Sequence, residues 1–176
     1  MSKNIVLVGF MGTGKTSVGK ILGSKLVREV IDVDLYIEKT EKRKIADIFG
    51  KEGETHFRML EKNAVEAISR REGIVITTGG GVVLDPENMK ALGKNGVLVA
   101  LSATPETIFR RVRNSKHRPL LQGGDPMSEI KRLYALRKPL YEKCDFNFPT
   151  DNCTPSAVAE KVLEKLKGRL GVESRG

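Results

Sequence analysis

Short apolar runs rich in β-branched residues alternate along the chain with longer stretches of helical periodicity. The runs fall at Ile5–Val8, Val30–Val33, Ile74–Thr77, Val97–Leu101 and Asp145–Phe148. Runs this short and this uniformly apolar suit strands buried on both faces of a parallel sheet. Between them, helical patterns fall at Lys15–Leu26, Lys44–Arg70, Pro86–Leu92, Pro105–Arg113, Pro126–Lys143 and Pro155–Lys167. In the first of these, Val18, Ile21, Leu22 and Leu26 share one face. Pro86, Pro105, Pro126 and Pro155 each sit near a helix start, where a missing N–H costs least. The alternation predicts an α/β fold whose parallel sheet is covered by helices on both faces. Nothing repeats internally, and no linker is long enough to divide the chain. Asn114 to Asp125 is polar, contains glycine and carries Lys116, His117 and Arg118; we read it as a mobile flap between two helices. The end of the chain, Gly171 to Gly176, reads as frayed.

Composition narrows the class. A chain of 176 residues, 39% hydrophobic and 30% charged, is expected to form one globular domain with a proper core. Its net charge of +9, from 31 Lys and Arg against 22 Asp and Glu, suits anionic partners. Nucleic acid is one such partner, but no basic run is interleaved with aromatics and no zinc-finger spacing occurs. Cys144 and Cys153 are too few for a disulfide scaffold, which points to a reducing cytoplasm. No stretch is apolar and long enough for a signal peptide or membrane span.

The chemistry begins directly after the first strand. Gly9-Phe10-Met11-Gly12-Thr13-Gly14-Lys15-Thr16 fits the phosphate-loop pattern G-x-x-x-x-G-K-[ST]. Its glycines let backbone N–H groups wrap phosphate oxygens, Lys15 can reach the β- and γ-phosphates, and the Thr16 hydroxyl suits Mg²⁺. Strand, loop and helix come in the order this motif needs.

Other candidates are weaker one by one. Asp32 and Asp34 lie at the end of the second strand, two residues apart and so on one side of it. Both carboxylates would face the crevice where open α/β sheets bind ligands. One could hold Mg²⁺ through water and the other a substrate hydroxyl; alternatively, Asp34 only caps a following helix. Gly79-Gly80-Gly81 ends the third strand, either as an ordinary turn or as backbone that a ligand approaches closely. Arg58 has Glu61 three residues on, placed to orient it. Arg118-Pro119-Leu120-Leu121 falls in the flap, and Arg137-Lys138-Pro139-Leu140-Tyr141 puts an arginine in a proline-interrupted helix. Arginine suits both a transferring phosphate and the two-pronged grip of a carboxylate. Taken alone, each of these arginines is better explained as a surface charge.

These segments, in this order, resemble the shikimate kinase family over about residues 4–165. The phosphate loop marks only the broad nucleotide-kinase class; the triple glycine and the two arginine strings are more specific. The resemblance implies a three-layer P-loop kinase fold. Its five-stranded parallel sheet would have strand order 2-3-1-4-5, with a lid and a small substrate-binding subdomain. On this chain that means one kinase domain over 1–170, its substrate-binding part about 33–61 and its lid about 112–125, followed by a tail. The implied reaction is ATP-dependent phosphorylation of the shikimate 3-hydroxyl, a step towards chorismate and the aromatic amino acids.

Carried over residue by residue, Lys15, Asp34 and Arg118 are the expected catalytic groups. The nucleotide falls to Gly12, Thr13, Gly14, Lys15, Thr16, Ser17, Arg111, Arg118 and Pro155. Shikimate falls to Asp34, Arg58, Gly80, Gly81 and Arg137. Thr16 and Asp32 would hold one Mg²⁺ per subunit, with ATP as co-substrate. The loop Asp151-Asn152-Cys153-Thr154 lacks the arginine that some relatives carry beside the base. A monomer free of nucleic acid and membrane, in the cytoplasm, completes the expectation. A small kinase acting on gluconate or a nucleoside monophosphate would share the phosphate loop but not Gly79–Val83 with the arginine strings. A GTP switch would need an N/T-K-x-D motif, which the chain lacks, and a nucleic-acid module would show salt-dependent binding.

Overall fold

The computed structural model describes residues 2–113, 125–167 and 169. Five strands, β1 (Asn4–Val8), β2 (Val30–Asp32), β3 (Val75–Thr77), β4 (Gly96–Ser102) and β5 (Phe146–Pro149), form one parallel sheet in the order 2-3-1-4-5. This is the order the resemblance implies. β1 is buried along its whole length and lies between β3 and β4. Its side chains alternate between two cores. Ile5 and Leu7 join Val75, Val99 and Leu101 under α1 (Lys15–Leu26) and α7 (Pro155–Leu166). Val6 and Val8 face the other layer, which holds α2 (Val33–Glu41), α3 (Ile45–Ser69), α4 (Pro86–Lys94), α5 (Pro105–Val112) and α6 (Pro126–Tyr141). The three-layer reading is therefore met, and the crevice opens over the C-terminal end of β1, where the strand order reverses.

The prolines do what their positions predict. Asp85, Thr104, Asp125 and Thr154 each cap a helix with a side-chain oxygen, and the proline that follows takes the first helical position. α1 differs. Its cap is Gly14, at φ 95°, with no side chain to engage the first-turn N–H groups. Those donors are left for a ligand.

Three local features depart from expectation. The second strand stops at Asp32 instead of running through Val33, because Asp32 caps α2, a helix the periodicity did not reveal. α3 carries a kink at Gly53 (φ 81°, ψ 178°), so Lys44–Arg70 is not one continuous helix. A short 3-10 turn at Val82–Leu84 follows the triple glycine. Elsewhere element ends move by one or two residues. The expected lid, apart from its ends, and the tail fall outside the described residues.

Candidate active site

The phosphate loop wraps the end of β1 and opens onto a cavity of about 280 Å³. Gly12, Gly14, Lys15, Thr16 and Ser17 line one side of it, and Asp32, Asp34 and Gly80 the other. Met11, Thr78 and Gly79 line it too; Met11 belongs to the phosphate loop and Gly79 to the triple glycine, whereas sequence reasoning did not single out Thr78. The Thr77-Thr78 pair just before the glycines was the signal available for this wall. Thr13 is fully buried; its hydroxyl donates to the Phe10 carbonyl at 2.8 Å and braces the loop from inside. Lys15 Nζ donates to the Gly9 and Phe10 carbonyls at 2.8 and 2.9 Å.

The two aspartates reach the crevice by a different route from the one expected. Asp34 is not a strand residue but sits in the first turn of α2, and Asp32 is the cap. Asp32 Oδ1 accepts from the Asp34 and Leu35 N–H groups at 3.0 and 3.1 Å, and Oδ2 accepts from Thr77 Oγ1 at 2.7 Å. Both Asp32 oxygens are thus oriented. Asp34 Oδ1 is buried with no hydrogen-bond partner among the described residues. Its carboxyl is pushed up to about 6, first by burial and then by Asp32 and Glu61; Lys15 and Arg58 oppose the shift. A Cβ at Gly79 would lie 2.9 Å from Asp34 Oδ1, so that glycine makes room for the carboxylate.

A cationic cluster adjoins Asp34. Arg58 Nη1 pairs with Glu61 at 2.8 Å and Nη2 with Glu54 at 3.0 Å. The i,i+4 spacing to Glu54 was a visible signal that sequence reasoning passed over. Burial alone would lower the Arg58 guanidinium, but the two glutamates outweigh it and hold it above its ordinary value. Glu61 is itself buried and raised, chiefly by that burial, with Arg58 and Arg137 opposing. Its Oε1 also lacks a partner among the described residues. A Cβ on Gly81 would collide with the Arg58 guanidinium, so the triple-glycine segment lies hard against this arginine. Arg137 is 6% exposed, far from the surface charge it could have been, and stacks over the Phe10 ring at 5.7 Å.

The remaining expected contacts are spread around this centre. Arg111 bridges the phosphate loop and the end of β5: Nη1 donates to the Gly12 carbonyl at 3.0 Å and Nη2 to the Thr150 carbonyl at 2.7 Å. Pro155 is exposed at the start of α7, outside the cavity lining. Arg118 lies outside the described residues. No cluster of three or more His, Cys, Asp or Glu suited to a metal occurs among the described residues. The oxygens of Thr16 and Asp32 are hard donors that suit Mg²⁺, which draws the rest of its shell from water and phosphate. No described helix is long and apolar enough to cross a membrane.

Comparison with known proteins bears on the family and the fold. A family model described as shikimate kinase matches residues 11–167. A shikimate kinase from Thermodesulfovibrio yellowstonii is 50% identical over 165 residues, covering 94% of this chain and 95% of that protein. One from Caldicellulosiruptor saccharolyticus is 48% identical over 161 residues, 92% and 94% of the two chains. Among solved structures, a shikimate kinase from Acinetobacter baumannii in complex with shikimate superposes with a TM-score of 0.92 at 35% identity, covering 96% of this chain and 95% of that one.

Proposed function

The chain belongs to the shikimate kinase family, and on that premise we propose that the crevice holds ATP on the phosphate loop and shikimate against Asp34, Arg58 and Arg137. The reaction is ATP-dependent phosphorylation of the shikimate 3-hydroxyl, on the route to chorismate and the aromatic amino acids. The observation that carries the acceptor assignment is Asp34: a buried carboxylate oxygen with no partner among the described residues, at the junction of the phosphate loop and a pair of arginines. An unpaired buried oxygen is costly, and a substrate hydroxyl donating to it removes that cost.

The same residues supply the mechanism. Asp34 orients the attacking hydroxyl and takes its proton as the new bond forms. Lys15 exchanges its loop carbonyls for the transferring phosphate, and the uncapped start of α1 adds backbone N–H groups. Arg58 and Arg137 grip the acid's carboxylate and hold the hydroxyl in line. Gly80 and Gly81 bring backbone close to the ring. Gly12, Thr13, Gly14, Thr16 and Ser17 frame the phosphates, while Arg111 and Pro155 flank the base. Arg118 is assigned from the resemblance to the transferring phosphate. Mg²⁺, when bound, neutralises phosphate charge and orients the oxygens for transfer. Asp32 has both oxygens engaged by protein donors, which suits contact through water better than direct ligation. We assign 33–61 as the substrate-binding part, since α2 and α3 carry Asp34 and Arg58. A monomer in the cytoplasm is the assigned state; Cys144 and Cys153 are unpaired, as in a reducing compartment.

The test is a coupled ADP-release assay with shikimate, gluconate and nucleoside monophosphates in parallel. Release driven by shikimate alone is expected. Release driven by gluconate and not by shikimate would overturn the acceptor.

A further inference from the structure

Tyr141 ends α6, four residues after Arg137, and is 3% exposed. A buried phenol needs an acceptor for its proton. The acceptor it finds is 61 residues away: Tyr141 Oη donates to the Gly80 carbonyl at 2.5 Å. Burial pushes the phenol well above its ordinary range, with Arg137 opposing only in part, so it stays a protonated donor at every working pH.

The Gly80 carbonyl belongs to the same planar unit as the Gly81 N–H. In a trans peptide the two groups point in opposite directions, and no cis bond occurs among the described residues. Holding the carbonyl towards α6 therefore turns the Gly81 N–H away from α6. The unit has little freedom to rotate otherwise. A Cβ on Gly80 would come within 3.3 Å of the Met11 nitrogen, and Gly81 abuts the Arg58 guanidinium. Gly81 is buried, and its N–H finds no acceptor among the described residues. A buried, aimed and unpaired donor beside Arg58 is poised for a ligand atom.

We propose that Tyr141 is a positioning residue for the acceptor, which fixes the Gly80–Gly81 peptide so that the Gly81 N–H donates to the hydroxylated acid. This role rests on Gly81 lying in the acceptor site, as assigned above. The same helix face carries Tyr134, edge-on to Phe10 at 5.6 Å, and Arg137 over that ring at 5.7 Å. One face of α6 thus sets three things at once: the phosphate loop through Phe10, the carboxylate grip through Arg137 and the glycine peptide through Tyr141.

Tyr141→Phe removes the hydroxyl and keeps the ring. Losing one aimed hydrogen bond is expected to raise the shikimate KM roughly tenfold, with the MgATP KM held within about twofold. A merely structural role would lower the melting temperature or raise both KM values together, and either pattern without the split overturns the proposal. Unchanged KM values for both substrates also overturn it. If the variant does not fold, the wild-type Gly81 amide resonance decides: it must shift when shikimate is added, and a silent amide rejects the contact. Failure of the functional reading looks different, because wild-type protein would then show no shikimate-driven ADP release at all.

Discussion

Asp34 owes its character to burial more than to its neighbours. Because its folded value is raised, to about 6 from 3.8, the folded protein binds this proton more tightly than the unfolded chain does. The group's contribution to stability is therefore complete below about pH 4 and is lost as pH rises through about 6. Asp34→Asn should raise the unfolding free energy at pH 8, by about 3 kcal/mol at most given ~1.4 kcal/mol per unit. The gain should vanish near pH 3.5, and turnover should be lost throughout. Urea melts at the two pH values check this; equal effects at both would show that Asp34 is not destabilised by ionisation. In the proposed mechanism catalysis runs the opposite way, since Asp34 would have to be ionised to accept a proton, and part of the stability would be given up for a working base. The pair Asp32 and Asp34 was legible in the sequence, but the reason for their placement was not. Strand alternation predicted a shared face, whereas the structure gives Asp32 to a helix cap and Asp34 to the first helical turn. That difference depends on a cap hydrogen bond, which periodicity does not register.

Elements show where local rules suffice. Four helix starts were readable from their prolines alone, and the structure adds an Asp or Thr cap directly before each one. α2 entered only as the alternative in which Asp34 caps a following helix, because Val30, Ile31 and Val33 are β-branched and read as strand past the point where it ends. α3 contains the sharper test. Gly50 has ordinary helical geometry, is exposed and has nothing within 4 Å of a built Cβ. Gly53 is equally open but sits at φ 81°, ψ 178°, a region essentially reserved for glycine. Gly50→Ala is expected to stabilise by about 0.5–1 kcal/mol, and Gly53→Ala to destabilise by at least about 1 kcal/mol. Denaturant midpoints check both. A neutral or stabilising Gly53→Ala would mean that α3 straightens at no cost. The kink lets α3 turn after the Lys44–Glu52 segment and then run into the core, so that Arg58 and Glu61 face the glycine segment.

At the scale of the whole molecule, Phe10 is where the two halves of the site meet. It is fully buried, belongs to the phosphate loop, and carries Tyr134 on its edge and Arg137 over its face. Phe10→Leu should cost about 1–2 kcal/mol in stability through lost ring contacts. It should also raise the KM for both MgATP and shikimate, because one side chain supports the loop and Arg137 alike. Steady-state kinetics check this; a change confined to MgATP would show that Arg137 holds its position unaided. By itself the sequence determined the strand–loop–helix unit, the alternation of strands and helices, the proline-marked helix starts and most of the residues that line the crevice. Each of these depends on residues adjacent in the chain or spaced by a strand or helix period. Only the tertiary structure decided that Arg137 is buried against Phe10, that Tyr141 holds Gly80, that Arg58 lies against Gly81, and that Asp34 keeps an oxygen unpaired among the described residues. These contacts join segments tens of residues apart, and their burial, which sets their charge and hydrogen-bonding character, exists only once the helices have packed on the sheet.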